Sequence, residues 1–233
     1  MTPAPAISAS PASIPPMADV QTFDGRRLSV AVAGETLFDT TNSIRTGRLV
    51  RSRLIDLDDG RVLTNGKRAN LLGSDMERAD LLALKRARRL AFGGGAGLLI
   101  IHVSFVTASS QRARPGLAEA AAPFRAAGDV SLIWLMTDIP EGASGARLGE
   151  AVGFLRAQGR AVFGEVRSAS MAKGLKAAGI SGLALAAPSD KLSETDSALW
   201  LLHAGRGFEG SPPQPRIAAG LCSPSLTGMA GAA

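Results

Sequence analysis

The sequence predicts an α/β fold around a parallel sheet, and three observations carry the prediction. The run Gly97–Val106, with Leu98, Leu99, Ile100, Ile101, Val103 and Phe105 around a single His102, reads as a strand buried on both faces. Strands of that kind belong to parallel sheets covered by helices. Downstream of it, helical segment, loop and short apolar strand alternate at least four times. Gly128, Gly159 and Gly179 stop the helical segments and return the chain to the next strand. In such a domain the chemistry sits at the carboxyl ends of the strands.

The elements follow in order. Residues 1–20 hold Pro3, Pro5, Pro11, Pro15 and Pro16 among Ala and Ser, too little apolar surface to order themselves, and predict a flexible tail. Residues 212–233 share that composition, which places the folded domain at 21–211. Leu28–Ala33 alternates as a strand, and Glu35–Asp39 is a second short candidate. Thr46-Gly47 marks a turn, and Arg48–Asp56 reads as a half-buried strand leading to the turn Asp58-Asp59-Gly60. Asp75 or Ser74 is a candidate N-cap for a helix over 76–92. In it Ala79, Leu82, Leu84 and Ala87 oppose a solvated face of Arg78, Lys85, Arg86, Arg88 and Arg89.

Gly93-Gly94-Gly95 precedes a strand and lacks a following Gly-Lys-Ser/Thr, so it is a helix-to-strand turn and not a phosphate loop. Beyond the opening strand, Arg114-Pro115-Gly116 leads into a helix over 117–127, and Val130–Met136 is the next strand. A helix over 146–158, a strand over 160–166, a helix over 170–178 and a strand over 182–186 follow. A last helix over 194–204 takes Leu199, Trp200, Leu201 and Leu202 as its buried side, with His203 on it.

Composition bounds the function. The chain has 233 residues, enough for one large domain, and its 26 basic against 20 acidic residues give +6. The cations are spread over several helices, tyrosine is absent and aromatics are 4 %, which disfavours a stacking nucleic-acid surface. A lone Cys222 excludes an internal disulfide or a cysteine zinc site. No apolar run reaches the roughly 20 residues that span a bilayer. The first residues lack the basic and apolar regions of a secretory signal, so a cytoplasmic protein is expected.

The order of segments resembles the EAL domains, cyclic di-GMP phosphodiesterases built on a modified TIM barrel. Thr46-Gly47-Arg48-Leu49-Val50 through Leu54-Ile55-Asp56-Leu57-Asp58-Asp59-Gly60-Arg61 is similar to the family's first two strands and its D-G-R turn. Asp80-Leu81-Leu82-Ala83-Leu84-Lys85-Arg86-Ala87 resembles D-x-W-V-L-R-R-A. Ile101-His102-Val103-Ser104 stands where the family has V-N-L-S, and Leu135-Met136-Thr137-Asp138 where it has E-I-T-E. The runs 152–162 and 174–185 resemble the segments before the family's paired aspartates and its Y-L-K-I-D. Coverage runs from Thr36 to Pro188.

The resemblance implies a modified TIM-type barrel of the EAL kind. It also implies incompleteness: one strand-helix unit is missing near the C-terminus, where Gly207-Phe208-Glu209-Gly210-Ser211-Pro212 looks like the family's final G-Y-L-F-G-x-P. A rearranged barrel of that sort invites a partner at its edges. The family's hydrolysis uses two metal ions held by carboxylates and an Asn, with a Lys beside the water. By the resemblance, the signature Glu falls at Ser52 or Arg53 and the Asn at His102. The fourth-strand Glu falls at Leu135, the paired aspartates at Gly164 and Glu165, and the Lys at Ala184.

Only Asp138 and Glu165 offer carboxylates near strand ends, as vestiges or as plain solubilising caps. His102 reads more readily as a core histidine than as a ligand. The expectation is therefore no catalytic residue, no metal and no cofactor, in a regulatory protein that binds another protein within cyclic di-GMP-linked signalling. A cyclic di-GMP sensor or weak phosphodiesterase and a basic nucleic-acid-binding protein are the alternatives, and a homo-oligomer stays open.

Overall fold

The structure is a computed structural model that describes residues 19–39, 44–63, 70–91, 97–128, 130–166, 169–186, 199–203 and 217–219. It begins with Val20–Gln21 (β1) and two strands of thirteen residues, Arg27–Asp39 (β2) and Ile44–Asp56 (β3). The two short strand candidates over 28–39 are thus one strand. The apolar phase switches midway: Leu28 and Val30 are buried on one face and Leu37 on the other. Alternation read residue by residue breaks at that switch although the backbone does not.

Thr46-Gly47 is likewise no turn. Leu37 pairs with Gly47 and Phe38 with Arg45, so Thr46 is the extra residue of a bulge. A side chain at Gly47 would put Cβ 2.0 Å from the carbonyl oxygen of Leu98, so the glycine is what lets β3 lie against the next strand.

Helix α1, Gly73–Ala91, starts earlier than the sequence predicts, which puts Asp75 in its first turn instead of at the cap. Its carboxylate is buried and accepts from the Phe23 amide at 3.2 Å. Ala79, Ala83, Leu84 and Ala87 form its buried face. The opposite face is not all solvated. Arg86 forks onto Asp19, with Nη2–Oδ1 at 2.8 Å, and also donates to the Val30 carbonyl, and Arg78 donates to the Gln21 carbonyl. Phe92 and Gly93-Gly94-Gly95 lie outside the described residues.

Leu98–Ser104 (β4) is the buried strand of the sequence reading, but it ends two residues sooner. The Ser104 hydroxyl accepts from the Thr107 amide at 3.2 Å and opens a short helix, Phe105–Ser109 (α2), that periodicity does not signal. Arg114–Ala126 (α3) takes in Pro115 and Gly116, read as a lead-in, because Pro is suited to a first helical turn. Ser131–Thr137 (β5), Gly145–Gln158 (α4), Ala161–Val166 (β6), Ala169–Ala177 (α5) and Gly182–Ala186 (β7) follow the predicted alternation.

The α/β alternation then gives way to antiparallel strands. Leu199–His203, read as helix, is strand β8, paired antiparallel to β7. A run of Leu, Trp, Leu and Leu carries no period that separates helix from strand. Ile217–Ala219 (β9) lies inside the predicted 212–233 tail and bonds to both β8 and β2. At the other end Asp19 and Val20, assigned to the 1–20 tail, belong to the fold: Val20 is buried and pairs with Leu28.

Strands β3 to β7 run parallel, and β8, β9 and β2 close the ring antiparallel, giving an eight-stranded barrel with β1 added beside β2. The chain is therefore a barrel of the rearranged, shortened type that the resemblance implies. Hydrogen bonds through β9 join the ring at Leu37–Asp39 of β2 and at Leu199–Leu201 of β8. Leu37, Leu49, Ile100, Ile133, Leu135, Phe163 and Ala184 fill the interior. A larger cluster, including Leu84, Val103, Phe124, Trp134 and Leu155, packs the helices on the outside. Among the described residues no helix is long and apolar enough to cross a membrane.

Candidate functional site at the carboxyl ends of the barrel strands

The inner face is fixed by alternation. Leu49, Ile100, Ile133, Phe163 and Ala184 point into the barrel, so Arg51, Arg53, His102 and Glu165, two or four residues further along, share that face. Register sets them side by side: Val50 pairs with Ile101, His102 with Leu135, and Glu165 with Ala184. Of the positions singled out by sequence, Arg53, His102, Leu135, Glu165 and Ala184 are brought together near the carboxyl ends.

Two of them turn the other way. Ser52 pairs with Val32 and sits among Val50, Ala83 and Ala87, facing helix α1. Gly164 faces α5: a Cβ there would meet Ile180 Cδ1 at 2.8 Å and Leu175 Cδ1 at 2.9 Å. Between Ser52 and Arg53 as the place of the signature Glu, the pleat therefore selects Arg53 as the inward residue. Asp138 lies just past β5 with φ +54, a left-handed conformation that Asp tolerates better than most residues, and its carboxylate accepts from the Thr137 hydroxyl at 3.2 Å.

Two features of this end escape the sequence reading. Glu35 on β2 reaches Arg51 on β3, Oε1 to Nε 3.3 Å, with both side chains largely buried. The pair is visible only once β2 is one continuous strand in register with β3. The second is Asp80 of α1, buried among apolar neighbours. Its Oδ2 accepts from the Ser104 amide at 3.0 Å and from the Ser104 and Thr107 hydroxyls at 2.6 Å each. An Asp on the apolar face of a predicted helix is the signal that could have revealed it, since buried carboxylates are held by donors. It ties α1 to the point where β4 becomes α2.

The mouth thus carries Arg51, Arg53 and His102 along with Glu35 and Glu165, with Leu135 and Ala184 side by side with His102 and Glu165. Among the described residues no group of three or more His, Cys, Asp or Glu side chains is arranged to hold a metal ion.

No family model and no curated protein matches the chain. Among solved structures it is similar to the Bacillus subtilis YkuI protein, which has an EAL domain and is in complex with substrate c-di-GMP and calcium: 12 % identity, TM-score 0.49, over 65 % of this chain and 40 % of that one. It is similar to Vibrio cholerae LapD, S helix-GGDEF-EAL bound to c-di-GMP, at 11 % identity and TM-score 0.49, over 66 % and 38 %. It is also similar to the FimX EAL domain of Pseudomonas aeruginosa bound to c-di-GMP, at 14 % and 0.48, over 66 % and 64 %. The chain spans about two fifths of the length of the first two. The solved structures that this chain is similar to are EAL-domain proteins, at low identity.

Proposed function

We propose that this chain is an EAL-like barrel acting as a regulatory binding protein in cyclic di-GMP-linked signalling, without two-metal hydrolysis of the nucleotide. One observation carries the reading: the inner face at the carboxyl ends of the strands presents Arg51, Arg53, His102, Leu135 and Ala184 beside only the carboxylates of Glu35 and Glu165 among the residues brought together there, fewer hard oxygen ligands than a pair of divalent ions needs. The residues do not fit a pair of divalent ions. Glu35 is matched by Arg51, and guanidinium groups on that face repel a dication at contact distances. The function rests on binding by the retained scaffold, with a protein as the partner.

A second reading is favoured by the same arginines. Guanidinium forks suit phosphate oxygens, so a barrel whose mouth holds Arg51 and Arg53 supports nucleotide sensing without turnover. Titration calorimetry with cyclic di-GMP, once with Mg²⁺ and once with EDTA, separates the two. Equal binding in both buffers supports the sensor, and no heat in either supports the protein-binding reading. Heat only with Mg²⁺ contradicts the proposal, because it requires a metal held at this mouth.

A further inference from the structure

Phe23, Leu72 and Val106 are the large apolar side chains left exposed among the described residues, at 86 %, 51 % and 39 %. They come from three separate elements, and each lies beside the first turn of α1. The Phe23 amide is bonded to the Asp75 carboxylate, and the Leu72 carbonyl accepts from the Asp75 and Met76 amides at 2.9 and 3.1 Å. A Cβ on Gly73 would lie 3.2 Å from Val106 Cγ1. Scattered exposed leucines need no explanation, but three large apolar residues converging from distant parts of the chain form a patch.

The patch has a charged rim with a definite sign. Arg26 lies in the turn that carries Phe23, Arg78 on α1, Arg112 against Glu77 of α1 and Arg147 against Ser109 of α2, with Asp24 and Glu77 as the neighbouring exposed or half-buried carboxylates. Arg26 is paired with Asp24 at 3.7 Å and Arg112 with Glu77 at 2.7 Å. Arg78 and Arg147 are the surplus: Arg78 donates to the Gln21 carbonyl, and Arg147 lies over the Phe105 ring and donates to the Ser109 hydroxyl. Both side chains are exposed to solvent.

We infer that this patch docks an acidic amphipathic segment of a partner protein, its apolar side chains on Phe23, Leu72 and Val106 and its carboxylates on Arg78 and Arg147. The sign of the rim makes the choice. A second copy of this chain, +6 overall, would bring the surplus Arg78 and Arg147 of each copy together across a two-fold axis. An acidic segment is attracted by that rim, and an amphipathic helix offers apolar anchors at i, i+3, i+4 and i+7 to exposed apolar side chains. The inference deepens the protein-binding reading above and rests on it.

The test is fluorescence anisotropy of the full chain with a labelled synthetic amphipathic helix of about 18 residues, apolar at i, i+3, i+4 and i+7 and Glu or Asp elsewhere. Its charge-reversed counterpart, Lys for each acid, is the control. The acidic peptide binds, and binding weakens with added salt. The double variant Phe23→Ser, Leu72→Ser loses about tenfold in affinity or more, and Arg147→Gln about threefold, with thermal unfolding unchanged because these side chains are exposed. Equal binding of the two peptides, or native affinity in the double variant, overturns the patch. Concentration-dependent dimerisation of the native chain that the double variant abolishes overturns it in favour of self-association. Metal-dependent binding of cyclic di-GMP would sink the reading above while leaving these affinities as they are, so the two failures are distinguishable.

Discussion

The two faces of strands β3 to β7 have met opposite fates. Outward, Leu99, Val103, Trp134, Met136 and Val162 are fully buried under α1, α3 and α4. Inward and toward the carboxyl ends, Arg51, Arg53, His102 and Glu165 are half-buried and of mixed charge. Alternate residues of one strand thus serve a tightly packed scaffold on one side and a polar mouth on the other, and a barrel holds its shape whatever its mouth carries. The lesson is that resemblance of scaffold and resemblance of site must be argued separately, because they lie on different faces of the same strands.

The comparison breaks first on the outer face. Trp134→Ala removes a fully buried indole that packs against Gly159 and costs about 4 kcal/mol, measured by urea denaturation. Cutting the bracket at Asp80 comes next. Asp80→Ala leaves the Ser104 amide and one of the two buried hydroxyls without an acceptor, since Ser104 and Thr107 can still bond each other at 2.9 Å, and costs about 2–3 kcal/mol. It also raises hydrogen exchange over α2, since that is what the carboxylate holds.

A smaller effect separates the N-terminal strand from the barrel. The Arg86 fork, with help from the Val30 amide and Ser29 hydroxyl, draws the Asp19 carboxyl from its ordinary 3.8 down to about 2 against the opposing cost of burial. A carboxyl lowered in the fold contributes stability that is complete above about 4 and lost as pH falls toward 2. Arg86→Ala should therefore cost about 1 kcal/mol at neutral pH, discounted for the partial exposure of both partners, and flatten the stability profile between pH 4 and 2. Least of all is expected at the mouth. Replacing both members of the Glu35–Arg51 pair by Gln and Met changes stability by under about 1 kcal/mol, since a largely buried ion pair is near break-even with an apolar replacement. A loss as large as that of Trp134→Ala would erase the contrast between the faces.

What was legible in the sequence follows from the same contrast. Strands β4 and β5 and helix α4 were readable because a strand buried on both faces is a plain apolar run and a helix between glycines has clear stops. Strand β2 was split in two because its apolar phase switches where the covering changes from α1 to the barrel interior. The run Leu199–His203 reads as helix in the sequence because four large apolar residues fit either period, and β9 is invisible there because its three residues lie in a stretch whose composition is that of a tail. At the site, His102, Leu135, Glu165 and Ala184 came from motif order, whereas Glu35 needed the register of β2 against β3. The Phe23, Leu72 and Val106 patch needed tertiary structure altogether, because its members are far apart in the chain.

The most direct test of the central claim is a turnover assay. Purified chain is incubated with cyclic di-GMP and Mg²⁺ or Mn²⁺, and the linear product is followed by chromatography. The account predicts no product above the protein-free blank with either ion. Metal-dependent product that Glu165→Gln abolishes would contradict it, since a carboxylate at this mouth would then be holding the metal that Arg51 and Arg53 are argued to repel.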